Sequence, residues 1–271
     1  FCIVMLRTWI RVRQVGFSKL YLDDYFMLLA LVPYITETVL AYMVGASYGG
    51  LTNSNMTDEQ RRLLSPESEE YRWRVAGSKV QIAGWIMYAG VLWCIKASLC
   101  AFYSRLTDGV SGFQGRIRTG YFLIGGSYLG LVLSLLLSCQ PLSKFWQINP
   151  APGNICEPAL SKVYVFVCMI PNILTDLYLV VIPISMLKGA QIPTYKKYGL
   201  IVIFSGAIFC MTAGLLRGIT ILQDSVDGAR SGSAWACRES FVAFITSNIP
   251  AIWGWLKVKI RPIFGSLLSS N

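Results

Sequence analysis

Six stretches of this 271-residue chain are apolar almost without interruption. Each is about as long as a helix must be to cross a hydrocarbon layer of ~30 Å at ~1.5 Å per residue. They lie at 25–48, 80–103, 120–138, 163–186, 198–222 and 236–255. Between them polar residues gather in short segments, apart from a longer one at 49–79. The alternation predicts an all-α, polytopic transmembrane helix bundle with short connections. Ahead of the first stretch, Phe1 to Leu6 is apolar up to Arg7, with no basic segment before it and no small-residue cleavage site after it. That pattern reads as the cytoplasmic end (1–10) of a first helix whose upstream part precedes Phe1, and not as a signal peptide. The expectation is one membrane domain over 1–271 with seven helices, the first truncated.

Composition agrees and narrows the classes. At 54% hydrophobic, 14% charged and a mean hydropathy of +0.52, the chain has more apolar surface than one soluble core of its size buries, so the excess faces a lipid bilayer. The net charge of +10 comes from basic residues dispersed among loops rather than gathered on one face, so no nucleic-acid partner is expected. Their distribution sets an orientation instead. Segments on one side hold Arg7, Arg11, Arg13, Lys19, Arg105, Arg116, Arg118, Lys188, Lys196, Lys197, Lys257, Lys259 and Arg261. The other side holds nine, five of them in 49–79 beside Asp58, Glu59, Glu67, Glu69 and Glu70. This bias puts the tail 257–271 in the cytoplasm, the loop 49–79 outside, and the N-terminus outside once the first helix is complete.

Two features test that orientation independently. Asn55-Met56-Thr57 is a glycosylation sequon in the long outer loop. Cys139 and Cys156 flank a short proline-containing connection on the same oxidising side and form a candidate disulfide, with Cys237 as competing partner. Cys94, Cys100, Cys168 and Cys210 fall within spans, as small packing residues. Thr57 and Gln60 have capping-box spacing, so the outer loop holds either a short surface helix through Leu64 or an exposed, irregular segment. Seven of the eight tryptophans, Trp9, Trp73, Trp85, Trp146, Trp235, Trp253 and Trp255, fall mostly near predicted interfaces and read as anchors.

Ionisable residues inside spans are costly and normally face the bundle interior. Five are placed inside the spans, Glu37, Lys96, Asp176, Arg217 and Glu239, with Arg238 at the edge of the last span counted among the outer basic residues. Lys96 and Asp176 lie at similar depth in the inner half, and Arg217 and Glu239 are level near the outer end, which predicts two interhelical ion pairs. Asn172 shares a helix face with Asp176 just after Pro171, and with Pro183 further on the span is expected to kink. Together these residues form a polar network, read either as an ion or ligand site or as a structural feature. There is no histidine, no HExxH and no nucleotide-binding loop. Neither catalytic residues nor a metal are expected, and the chain does not read as an enzyme.

The run Arg7-x-x-x-Arg11 followed by Leu22-Asp23-Asp24-Tyr25-Phe26-Met27-Leu28-Leu29-Ala30 resembles the start of the second helix in the fungal rhodopsin-domain integral membrane proteins, which include CFEM-linked and Pth-type receptors. Lys96-Ala97-Ser98-Leu99 with Phe102 to Leu106, Cys139-Gln140-Pro141 with Phe145-Trp146, Cys156, Asn172-x-x-Thr175-Asp176-Leu177 with Pro183, Arg217, Glu239 and Pro250 extend the resemblance over nearly the whole chain. It implies a seven-helix, GPCR-like receptor fold. Two departures are the truncated first helix and the lack of a CFEM cysteine module. The last span has no interior lysine, Lys257 and Lys259 lying at its cytoplasmic end, so no retinal and no other cofactor is expected.

The function expected is a plasma-membrane, receptor-like sensor of an extracellular signal with an unknown ligand. Tyr103 to Leu106 and Arg116 to Arg118 are its candidate contacts for a cytoplasmic G protein or other signalling partner, unless those basic residues only anchor topology. The alternative is a membrane transporter or channel with the buried charges along its path, although no matching halves with broken spans are evident.

Overall fold

The structure is a computed structural model that describes the backbone of residues 1–108, 112–187, 194–223 and 228–268. It describes the side chains of these apart from 186–187, 194–203, 228–229, 253–254 and 256–268. Lys188, Lys196, Lys197, Trp253, Lys257, Lys259 and Arg261, which enter the charge and anchor readings, fall outside the described side chains.

The helices are α1 (Cys2–Val15), α2 (Leu22–Tyr42), α3 (Asp58–Leu63), α4 (Glu69–Leu106), α5 (Phe113–Leu137), α6 (Lys162–Leu187), α7 (Thr194–Gln223) and α8 (Gly228–Leu268). Among the described residues five of them, α2 and α4 to α7, are long and apolar enough to cross a membrane. The sixth expected span, 236–255, lies inside α8. Its described part misses the same measure because Arg238, Glu239, Ser240, Ser247 and Asn248 fall within it, and all but Arg238 are buried. Polarity there faces the bundle interior rather than lipid.

Successive long helices reverse direction, so the bundle has two ends. The turn end carries the α1–α2 turn, where Gly16 takes φ 81°, and the α4–α5 connection. The disulfide end carries α3 and the α5–α6 connection. Two boundaries differ from the hydropathy reading. The first span continues past α2 as a wider π-helical turn, Met43–Ser47. The next helix begins at Glu69, well before the apolar stretch, because Ser68 caps it by accepting from Tyr71 N at 3.1 Å and Glu69 and Glu70 favour its first turn. The outer loop is thereby shorter than expected, and α3 starts on the Thr57–Gln60 capping box. Helix α6 runs through Pro171 and Pro183 as one element.

Helix α4 is central. It packs on α2, α5, α6 and α8, and 72% of its apolar window is buried, against 22–39% in the other four spans. Those others turn large apolar side chains outward, such as Val32, Phe122, Leu129 and Leu174, as a lipid-facing bundle surface requires. Helices α7 and α8 approach closely at Gly206, where a Cβ would lie 2.5 Å from Thr246 Cβ. α1 packs on α8 and closes the bundle at the turn end.

Candidate functional site

The polar residues inside the bundle meet on α4. Asn172, Thr175 and Asp176 stand at i, i+3 and i+4 on α6 and so share one face, which is turned to Lys96. The ammonium donates to Asn172 O (2.6 Å), Asn172 Oδ1 (2.7 Å) and Thr175 Oγ1 (2.8 Å), and pairs with Asp176 Oδ1 at 3.0 Å. Three N–H donors thus meet four acceptors. Asn172 and Asp176, read from sequence as an ion or ligand site or as a structural network, hold an internal cation, Lys96.

Two turns earlier on α4, Tyr88 donates its phenol proton to Glu239 Oε2 at 2.6 Å, and Asn172 Nδ2 donates to Glu239 Oε1 at 3.4 Å. Arg217 is level with Glu239, yet the two form no ion pair within 4 Å among the described residues. Its guanidinium stacks instead on the rings of Tyr88 (3.9 Å to the centroid) and Trp85 (4.3 Å). Equal depth does not specify azimuth, and Tyr88 reaches between them; a planar guanidinium is well suited to an aromatic face. Trp85 is buried and donates to Pro158 O at 2.8 Å, so it is an interior strut rather than an interface anchor. Trp9 and Trp73 do remain exposed. Glu37 on α2 is buried and accepts from Ser240 Oγ at 3.0 Å, next to Glu239.

These contacts join into one string, from Pro158 through Trp85, Arg217, Tyr88, Glu239, Asn172 and Lys96 to Asp176. Beyond Lys96, toward the turn end, lies a cleft of about 540 Å³ counted with its open mouth, lined by Tyr103, Asp176, Cys210, Thr246 and Ser247 among others. Among the described residues no group of three or more Cys, Asp or Glu side chains is placed to hold a metal ion.

A second cluster, not singled out in the sequence as buried, sits at the turn end. Arg7 pairs with Asp23 Oδ2 at 2.6 Å and Asp24 Oδ1 at 3.0 Å, and Arg105 pairs with Asp23 Oδ1 at 3.0 Å. Arg7 also donates to Asn248 Oδ1 at 3.3 Å, and Ser98 Oγ donates to Asp23 O at 2.7 Å. Arg7, Asp23 and Asp24 are buried, while Arg105 keeps 27% of its side chain exposed. The signal was present in Arg7 and Arg11 at i, i+4 opposite two adjacent acids.

At the other end, Cys139 and Cys156 form the disulfide; Cys237 is a free thiol. Arg61 on α3 ties that connection down, donating to Ile148 O (2.9 Å) and Asn53 O (2.7 Å) and pairing with Glu157 at 2.7 Å. Burial pushes the Glu157 carboxyl above its ordinary value, and the Arg61 charge opposes that rise. Asn55 is exposed, at φ 57°.

A family model described as the fungal rhodopsin domain matches residues 6–258. No curated protein and no solved structure matches the chain.

Proposed function

The chain belongs to the fungal rhodopsin domain family and is an integral membrane, rhodopsin-like helical protein, and from that premise we propose that it is a receptor-like sensor of an extracellular signal. The observation that carries the reading is the string of buried polar contacts on α4. It begins under the disulfide connection at Trp85, crosses α6, α7 and α8 at Asn172, Arg217 and Glu239, and ends at Lys96 with Asp176; further along the same helix, Arg105 pairs with Asp23 at the opposite end. A receptor needs an element with two arrangements whose balance a ligand shifts. A helix held at one end by the aromatic–Arg217 stack and at the other by Arg105 with Asp23 is suited to that role. In this reading the protein lies in the plasma membrane with the disulfide end and an Asn55 glycan outside. The turn end is then cytoplasmic, and Arg105 contacts a G protein or other signalling partner. Neither catalysis nor retinal is required: the buried lysine among the described side chains, Lys96, is engaged by Asn172, Thr175 and Asp176.

The test is recruitment of G-protein α subunits to the full chain in intact fungal cells exposed to candidate external stimuli. Stimulus-dependent recruitment that Arg105→Gln reduces, at unchanged surface level, supports the sensor. Solute flux through the purified chain in vesicles, with no partner recruited under any stimulus, overturns it in favour of a transporter.

A further inference from the structure

Arg217 is 6% exposed, and its guanidinium carbon lies over the faces of both rings. Its Nε is buried with no hydrogen-bond partner among the described residues, while Tyr88 is its side-chain hydrogen-bonding neighbour. A charged donor left unsatisfied in a low-dielectric interior is costly, so a further acceptor at this position is favoured. Open space lies against it on two sides. One cavity, about 320 Å³ with its mouth, is lined by Glu37, Gln81, Trp85, Tyr88, Arg217 and Ser233 among others. The other, about 270 Å³, lies between α4, α6 and α7. Both are in the half of the bundle nearer the disulfide end.

The charges facing the first cavity select among ligand classes. Glu37 is buried, and its one hydrogen-bond partner among the described residues is Ser240, which leaves acceptor positions on the carboxylate. A simple anion would satisfy Arg217 but add a further negative charge beside Glu37 and Glu239. A simple cation would satisfy Glu37 but leave Arg217 Nε unpaired and be repelled by the guanidinium charge. A zwitterion meets both and brings no net charge into the bundle. We propose that this cavity binds a compact zwitterion of the amino-acid type, its carboxylate on the edge of Arg217 and its ammonium on Glu37. Such a ligand bridges α2, α4 and α7 at the head of the polar string. The proposal rests on the sensor reading for its purpose and on the cavity alone for its chemistry. The same charge pair occurs in a free amino acid and in a phosphatidylethanolamine headgroup, and the experiment distinguishes the two sources.

The experiment is thermal unfolding of the purified full chain in phosphatidylcholine nanodiscs with each of the twenty common amino acids, γ-aminobutyrate, and the matched amines and acids that lack one charge. At about five times its Kd, an amino acid is expected to raise Tm by about 2–4 °C. The matched amine and acid do not. Arg217→Gln and Glu37→Gln lose the shift. Because either of these can disturb folding, Gly84→Leu is the second variant: Gly84 is in the cavity wall and nothing lies within 4 Å of a Cβ there, so the added side chain is expected to occupy cavity space, leaving unliganded Tm close to wild type and abolishing the shift. The proposal is overturned if no zwitterion shifts the wild type, if the amine or the acid alone matches it, if the shift survives in Gly84→Leu, or if only added phosphatidylethanolamine produces one. Binding without recruitment of any cytoplasmic partner leaves this site standing and sinks the sensor reading, whereas recruitment by another stimulus with no amino-acid binding does the reverse.

Discussion

Lys96 and Asp176 illustrate what a single position carries in this bundle. Their pairing was legible from depth below the membrane face, because both are ionisable and each needs an opposite charge at its own level. The same reasoning gave Arg217 and Glu239 as partners and failed on the direct contact, since depth fixes height along a helix but not direction around it. Tyr88, an ordinary apolar-span tyrosine in sequence, stands between them and serves both, as proton donor to one and π-face to the other. Asp23 and Asp24 enter the sequence reading only as part of a motif at a helix start, yet they are 1% exposed beneath Arg7. Removing one member of a buried pair strands the other. Lys96→Met is therefore expected to cost about 3–5 kcal/mol. Lys96→Met with Asp176→Leu recovers most of it, measured as Tm of the solubilised protein and as surface expression. The swap Lys96→Asp with Asp176→Lys recovers less, because Asn172 and Thr175 stay on α6 and no longer face the ammonium from across the interface.

At the scale of elements, apolar length identified the five qualifying spans among the described residues but mislaid their ends. The start of α4 was missed because Glu69 to Lys79 is polar and reads as loop, while its Ser68 cap and acidic first turn make it helix. What fixes that extension against its neighbours is not visible in hydropathy at all. Gly77 lies against the backbone oxygen of Leu51, so closely that an added Cβ has no room unless the backbone moves. Helix propensity alone would favour alanine there by about 1 kcal/mol. Forcing atoms into a filled contact costs about 1–3 kcal/mol, so the net effect is a loss. Gly77→Ala is expected to lower Tm, and Gly84→Ala, with nothing within 4 Å, to leave it unchanged or raise it. Equal effects at the two positions would count against this packing. The last helix failed the apolar measure for a related reason: Glu239, Ser240, Ser247 and Asn248 are buried in the interior, so its sequence is more polar than its surroundings.

For the whole molecule, the alternation of spans and connections was readable from the chain, because a membrane leaves few alternatives to antiparallel helices. The closure at each end was not. Arg61 reaching Ile148, Asn53 and Glu157 depends on which loop backbones come together, and the turn-end cluster joins α1, α2, α4 and α8 across more than two hundred residues of sequence. Both closures bear on the central claim, that the disulfide end faces outside the cell and the turn end faces the cytoplasm. The direct measurement is labelling by a membrane-impermeant maleimide of two added-cysteine reporters, made in a Cys2→Ser, Cys237→Ser background that keeps the buried and half-buried thiols and the disulfide, and expressed in intact cells, with that background alone as the blank. Ser143→Cys lies exposed at the disulfide end and Ser18→Cys exposed in the α1–α2 turn. The account predicts that Ser143→Cys is labelled in intact cells and Ser18→Cys only after permeabilisation. Labelling of Ser18→Cys alone in intact cells, or of neither reporter until permeabilisation, would contradict it.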